Sequence, residues 1–274
     1  MSVIRVRRWV AVLVMMVFLL AGMAFWIPWP ALGGWTLEKE ALAQGMPALQ
    51  KDGVLVIYPP GHEEEASWVL EGVLQYVDPV FTLLHARRPD HIRVMVAADQ
   101  EELRHDLGTS EAPLGAYWQD TLWILAPSSW PGGPVDRERF LAEGPIAHEL
   151  GHMALHRRVG EKVPVWLDEG VAQWVDEKVT GFLWLEGWPR LEEGEGFSYQ
   201  DLSRWQVDDL AVAYLQSYLL AAEIARSHGG EGLALLLDRL EKGHAVNQSL
   251  RTVLGDGYPG LVAGDAWQAP LLSP

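Results

Sequence analysis

His148-Glu149-Leu150-Gly151-His152 is the stretch on which the reading of this chain turns. On a helix, residues four apart lie on one face, one turn apart, so two imidazoles placed there can grip a single zinc ion. Glu149 follows the first histidine and points beside the metal. There it can take a proton from a water whose pKa zinc lowers to about 7. A five-residue match also arises by chance, and an exposed polar face with two histidines is the plain alternative. The neighbours argue against that alternative. Ile146, Ala147, Leu150, Met153 and Leu155 are apolar, which makes a buried helix from about Pro145 to His156. Buried histidines and a buried glutamate need partners, and a metal supplies one. The Gly144-Pro145 step places the helix start close before His148 or kinks it there, leaving Asp136 to Glu143 as a separate turn or helix.

A catalytic zinc site takes a third protein ligand and leaves a position open. His156 is nearest in sequence but stands two turns, about 12 Å, from His148, so it reads as a surface or packing histidine. The longer metzincin motif needs Gly at 155 and His at 158, where this chain has Leu155 and Arg158. Glu169, in Pro164-Val165-Trp166-Leu167-Asp168-Glu169-Gly170, lies 17 residues after His152. That distance lets the chain turn at Gly160 and bring a second helix back alongside. Asp168 is the rival, and a rotation of about 100° per residue points it elsewhere.

His148–His152 followed by Trp166-Leu167-Asp168-Glu169-Gly170-Val171-Ala172 resembles the gluzincin branch of zinc metallopeptidases, in particular the peptidase-MA-like group. Ala213-Tyr214-Leu215-Gln216-Ser217 is similar to a segment of that group's next helix, and the resemblance extends over roughly residues 50–268. It implies a zincin-like α+β fold, zinc held by His148, His152 and Glu169, and Glu149 as general base. It also implies an edge strand, here expected at 121–125, that pairs with an extended peptide substrate. Relatives stabilise the oxyanion with a Tyr or His, for which Tyr214 is the candidate and His228 the weaker one. A core tyrosine packing its helix is the other reading of Tyr214. Many relatives place an Asp four residues after the ligand Glu to orient a metal histidine. This chain has Gln173 there, with Asp176 as another possible orienter.

The chain has no cysteine, which excludes thiolate zinc sites, disulfides and a cysteine nucleophile. A formal net charge of −16 repels phosphate backbones and disfavours nucleic acid as a partner. Fourteen tryptophans point to a cleft or a membrane interface as well as a core. Residues 1–8 carry Arg5, Arg7 and Arg8, and residues 9–27 carry no charge. Nineteen residues span about 28 Å as a helix, near the roughly 30 Å hydrocarbon core. The expectation is an uncleaved signal-anchor over 9–27 with the basic end cytoplasmic and the remainder outside. A cleaved signal is the rival, with Ala41-Leu42-Ala43 as a distant cleavage site.

Residues 28–50 read as a linker. Strands are expected at 54–58, 92–96 and 121–125, with a helix over 66–84 interrupted at Pro79. Asp99 and Glu102 open a short helix that Gly108 closes. Helices follow from Pro164 to about Lys178, over 207–227, 233–240 and 247–254, with a loop over 180–200. The layout is a small mixed-sheet lobe (51–135) followed by a mainly helical lobe (136–268). Three functions fit: a membrane-anchored zinc peptidase, a catalytically silent scaffold of the same fold, and a zinc hydrolase acting on a non-peptide amide.

Overall fold

The computed structural model describes residues 45–109, 113–161, 163–184 and 196–255. The expected anchor at 9–27, the basic end, most of the linker and the stretch after 255 lie outside these residues. Among the described residues no helix is long and apolar enough to cross a membrane.

The chain enters the sheet earlier than the linker reading allows. β1 (Ala48–Lys51) pairs antiparallel with β2 (Val54–Ile57). Asp52 and Gly53 join them, both at positive φ (49° and 82°), the conformation a two-residue hairpin turn requires. A Cβ at Gly53 would lie 2.5 Å from the Asp90 carbonyl oxygen, so the turn admits no side chain there.

α1 (Glu63–Leu83) runs without interruption through Pro79, contrary to expectation. Proline removes one backbone bond and costs about 3 kcal/mol in a free helix. Here Val73, Val77, Val80 and Phe81 are buried on both sides of it, and packing against the sheet and the helical part carries the helix through. β3 (Ile92–Ala97) and α2 (Gln100–Leu107) follow. The Asp99 carboxylate caps α2 by accepting from the Glu101 and Glu102 amides, and Gly108, left-handed at φ 67°, closes it.

β4 (Gly115–Trp118) and β5 (Thr121–Leu125) form a second hairpin, whose turn residues Gln119 and Asp120 both hold positive φ. The sheet order is β1-β2-β3-β5-β4, with parallel pairing of β2 to β3 and of β3 to β5. Residues 121–125 are therefore an interior strand, and the edge belongs to β4. The all-buried pattern of β5 agrees: a strand paired on both sides and covered on both faces is apolar throughout.

The remaining elements are helical: α3 (Arg137–Glu143), α4 (Ile146–Val159), α5 (Val165–Thr180), α6 (Tyr199–Ser203), α7 (Leu210–Arg226), α8 (Gly232–Glu241) and α9 (Val246–Leu254). The result is an α+β protein with a small mixed sheet and a mainly helical part. One continuous apolar core runs from Val54 in the sheet to Val253 in the last helix, so sheet and helices stabilise each other. α5 packs between α4 and α7 through small residues. Gly151 of α4 faces Ala172, and Gly170 of α5 faces the Ser217 backbone.

Candidate metal centre

α3 is separate from α4, as the Gly144-Pro145 step allows. A Cβ at Gly144 would stand 2.2 Å from the Phe140 carbonyl oxygen, so glycine permits the sharp exit from α3. Pro145 caps α4, and the first helical bond runs from the Glu149 amide to the Pro145 carbonyl at 2.9 Å. The helix thus starts two residues before His148, and its first turn carries Glu149. From Ile146 to Leu155 every residue of α4 is buried.

α4 and α5 bring three donor atoms to one point. His148 Nε2 lies 3.1 Å from His152 Nε2. Glu169 Oε2 lies 3.5 Å from the first and 3.7 Å from the second. These separations place the three atoms on a circle of radius about 2.0 Å, against zinc–nitrogen and zinc–oxygen distances of about 2.0–2.2 Å. Two imidazoles and one carboxylate form a donor set that suits zinc. His148, His152 and Glu169 fit a metal ion as a group.

Charge points the same way. Glu149, Asp168 and Glu169 act electrostatically on His152, and Asp176 and Glu149 on His148. Burial lowers the affinity of His152 for a proton, but Asp168 and then Glu169 outweigh it and push its pKa up to about 10. The same surplus of carboxylates favours a divalent cation at the two imidazoles.

Glu149 is 3% exposed. Burial raises its pKa, partly offset by His148 and His152, and it accepts a hydrogen bond from the Tyr117 amide of β4. Gly115 makes this approach possible, because a Cβ there would stand 2.8 Å from Pro145 Cβ and 3.1 Å from Glu149 Cγ.

Asp168 does not point away. Its Oδ1 accepts from His152 Nδ1 at 2.6 Å and its Oδ2 from His156 Nε2 at 2.7 Å. Burial alone would raise Asp168, but the two imidazoles hold it well below the usual carboxylate range. His156, read from sequence as a surface or packing residue, is joined to the site through this carboxylate. The carboxylate hydrogen-bonded to His152 is thus that of Asp168 and not a group at Gln173, whose buried Oε1 has no hydrogen-bond partner among the described residues. Asp176 lies close enough to His148 to feel its charge, and accepts from Trp184 Nε1 at 2.8 Å.

Tyr214 of α7 donates its hydroxyl hydrogen bond to Glu169. Burial and then Glu169 raise its pKa well above the ordinary tyrosine value, so it keeps its proton. Its ring also packs edge-on against Trp205 with centroids 5.6 Å apart, so it combines the packing and polar readings. His228, the weaker candidate, is hydrogen-bonded to the Val253 carbonyl, in a turn after α7. Gln216, two residues beyond Tyr214, receives the Phe197 amide at 2.9 Å and donates to the Phe197 carbonyl at 2.8 Å. It pins the end of the 180–200 segment to α7.

No family model and no curated protein matches this chain. Among solved structures, a variant of an M1 zinc metallopeptidase from Deinococcus radiodurans is similar, with 15% identity and a TM-score of 0.41. The match covers 83% of this chain and 53% of the other, so the chain spans about half the length of that enzyme. At this level of likeness the site stands on its own residues.

Proposed function

We propose that the protein is a zinc-dependent peptidase, with His148, His152 and Glu169 as metal ligands and Glu149 as general base. The observation that supports it is the convergence of the two Nε2 atoms and the Glu169 oxygen, with a buried glutamate beside them. A zinc ion in such a site acidifies water and polarises a carbonyl.

The protein's own groups supply the rest. Desolvation makes Glu149 a stronger base than an exposed glutamate, suited to take a proton from water and return it to the leaving amine. The Tyr117 amide fixes the carboxylate in place. Tyr214 keeps its proton and donates it in a hydrogen bond to the ligand Glu169; turned from Glu169 to the substrate's carbonyl oxygen, that proton would stabilise the charge that develops there.

The edge strand β4 is the natural dock for an extended substrate. The Leu125 amide donates to the Leu114 carbonyl at 2.9 Å. With the β4–β5 register, this sets residues 116 and 118 in the bonded phase toward β5. Gly115 and Tyr117 turn their backbone groups to the outer edge, where Glu149 takes the Tyr117 amide and a peptide would pair with Gly115 and the Tyr117 carbonyl. A peptide pairing there would lie alongside Glu149.

A membrane anchor at 9–27 and a catalytic part outside the cytoplasmic membrane belong to the same reading. They rest on the uncharged 19-residue run and its basic flank.

The test uses the full chain purified in detergent. Elemental analysis should give one zinc per chain. A peptide library should be cleaved by wild type, while Glu149→Ala should retain zinc and lose about 10²–10⁴-fold in rate. Metal-free wild type, or cleavage untouched by the substitution, would sink the proposal.

A further inference from the structure

The Asp168 carboxylate joins two helices and two imidazoles. Its partners on α4, His152 and His156, sit one turn apart, while Asp168 sits at the start of α5. The spacings of 2.6 Å and 2.7 Å are those of charge-assisted hydrogen bonds. Two ligands of one tetrahedral zinc stand about 3.3 Å apart. His152, His156 and Asp168 cluster closely enough to suggest a second metal group, but their separations are those of a hydrogen-bonded chain.

An ionised carboxylate only accepts, so each imidazole nitrogen facing it carries a proton. For His152 that nitrogen is Nδ1. Its Nε2, on the side where His148 and Glu169 converge, is then the atom left to offer a lone pair to a metal. His156 is itself braced. The Tyr117 ring meets it edge-on with centroids 5.5 Å apart, and the Tyr117 hydroxyl donates to Asp120 at 3.2 Å. Asp120 receives the Arg157 guanidinium at 2.7 and 2.9 Å, which ties the hairpin tip to the end of α4.

From this arrangement we infer that His156 and Asp168 are positioning residues for the metal ligand His152. His156 holds the outer oxygen of Asp168, and Asp168 holds His152 with Nδ1 protonated and Nε2 aimed at the metal. The inference rests on the zinc reading proposed above. It reverses the reading in which helix rotation points Asp168 away from the site.

The experiment measures zinc affinity of the full chain in detergent by competition with a chromophoric chelator. Asp168→Ala should weaken binding about 10- to 100-fold, the usual cost of losing a ligand's hydrogen-bond partner. His156→Leu, one bond further out, should weaken it less, about three- to tenfold. His156→Gln retains a donor for Asp168 and should return to within about twofold of wild type. In the zinc-loaded protein the His152 Nδ1 proton should give a downfield, slowly exchanging NMR signal that Asp168→Ala abolishes.

A purely structural role predicts something else: lower melting temperatures with zinc affinity unchanged among the folded variants. That result overturns the inference. If His156→Leu does not fold, the Gln variant and the NMR signal decide, and a Gln variant as weak as Asp168→Ala also overturns it. Zinc binding lost in His148→Ala but unaffected at 156 and 168 removes this inference and leaves the zinc site standing. No zinc binding by wild type removes both.

Discussion

Replacing Gly170 by alanine tests whether the close approach of α5 and α7 builds the site. A Cβ there would lie 2.2 Å from the Ser217 carbonyl oxygen, 2.7 Å from its carbon and 3.3 Å from Ala221 Cβ. The first two atoms are backbone, so no rotamer change relieves them. Ordinary contact needs α7 to retreat by about 1 Å. Overpacking of this kind costs about 1–3 kcal/mol, and the backbone clash puts Gly170 at the upper end. The intrinsic helix preference of alanine returns about 1 kcal/mol. The net expectation is a loss of about 2 kcal/mol. Gly151→Ala is the control. Its Cβ would meet Ala172 Cα at 3.1 Å, which a shift of a few tenths of an ångström relieves. There the helix preference offsets the crowding, and the change should stay within about 0.5 kcal/mol. Urea unfolding of the metal-free protein, followed by tryptophan fluorescence, measures both. The retreat of α7 also carries Tyr214 away from Glu169, so kcat should fall in Gly170→Ala and hold in Gly151→Ala. Equal unfolding midpoints for the two variants would refute the reasoning.

Other expectations concern single groups. Tyr214→Phe should lower kcat by about 10²-fold with little change in KM and with zinc retained. Parallel loss of zinc would make the hydroxyl a support for Glu169 instead. Burial pushes Asp176 up to about 7, with the His148 charge partly opposing. A carboxyl raised in this way binds its proton more tightly folded than unfolded, so stability of the metal-free protein falls as pH rises from about 4 to about 7 and levels off above. Asp176→Asn removes that slope. Its melting temperature should match wild type near pH 4 and exceed it at pH 8, by on the order of a few kcal/mol in stability. A constant difference across that range would show that Asp176 does not titrate there.

The helical part was legible in the sequence because its signals are local. Spacing of four on α4, the apolar flanks of His148, and the return distance to Glu169 each follow from helix geometry alone. β1 begins inside residues 28–50, the supposed linker: four residues long and mostly exposed, it offers no alternation, and its hairpin signal, Asp52-Gly53, stands just beyond that stretch. β4 escaped for a different reason. Its turn is Gln119-Asp120, with no glycine to announce left-handed backbone, and its interior partner β5 looked like the edge. Rotation about one helix points Asp168 away from the ligand cluster and does not foresee that the two carboxylate oxygens each meet a histidine. A bridge between His152 and His156 depends on how two helices face each other, which helix periodicity does not encode.

Tyr117 acts on the site through two unlike parts of itself. Its ring braces His156, but the hydrogen bond to Glu149 comes from its main chain. Any residue except proline at position 117 keeps that amide donor. The anchoring of the base is therefore insulated from side-chain substitution, while the bracing of His156 is not. A mutational scan of the edge strand should find position 117 permissive for proton handling and restrictive for metal retention, with proline as the one replacement that separates Glu149 from its support.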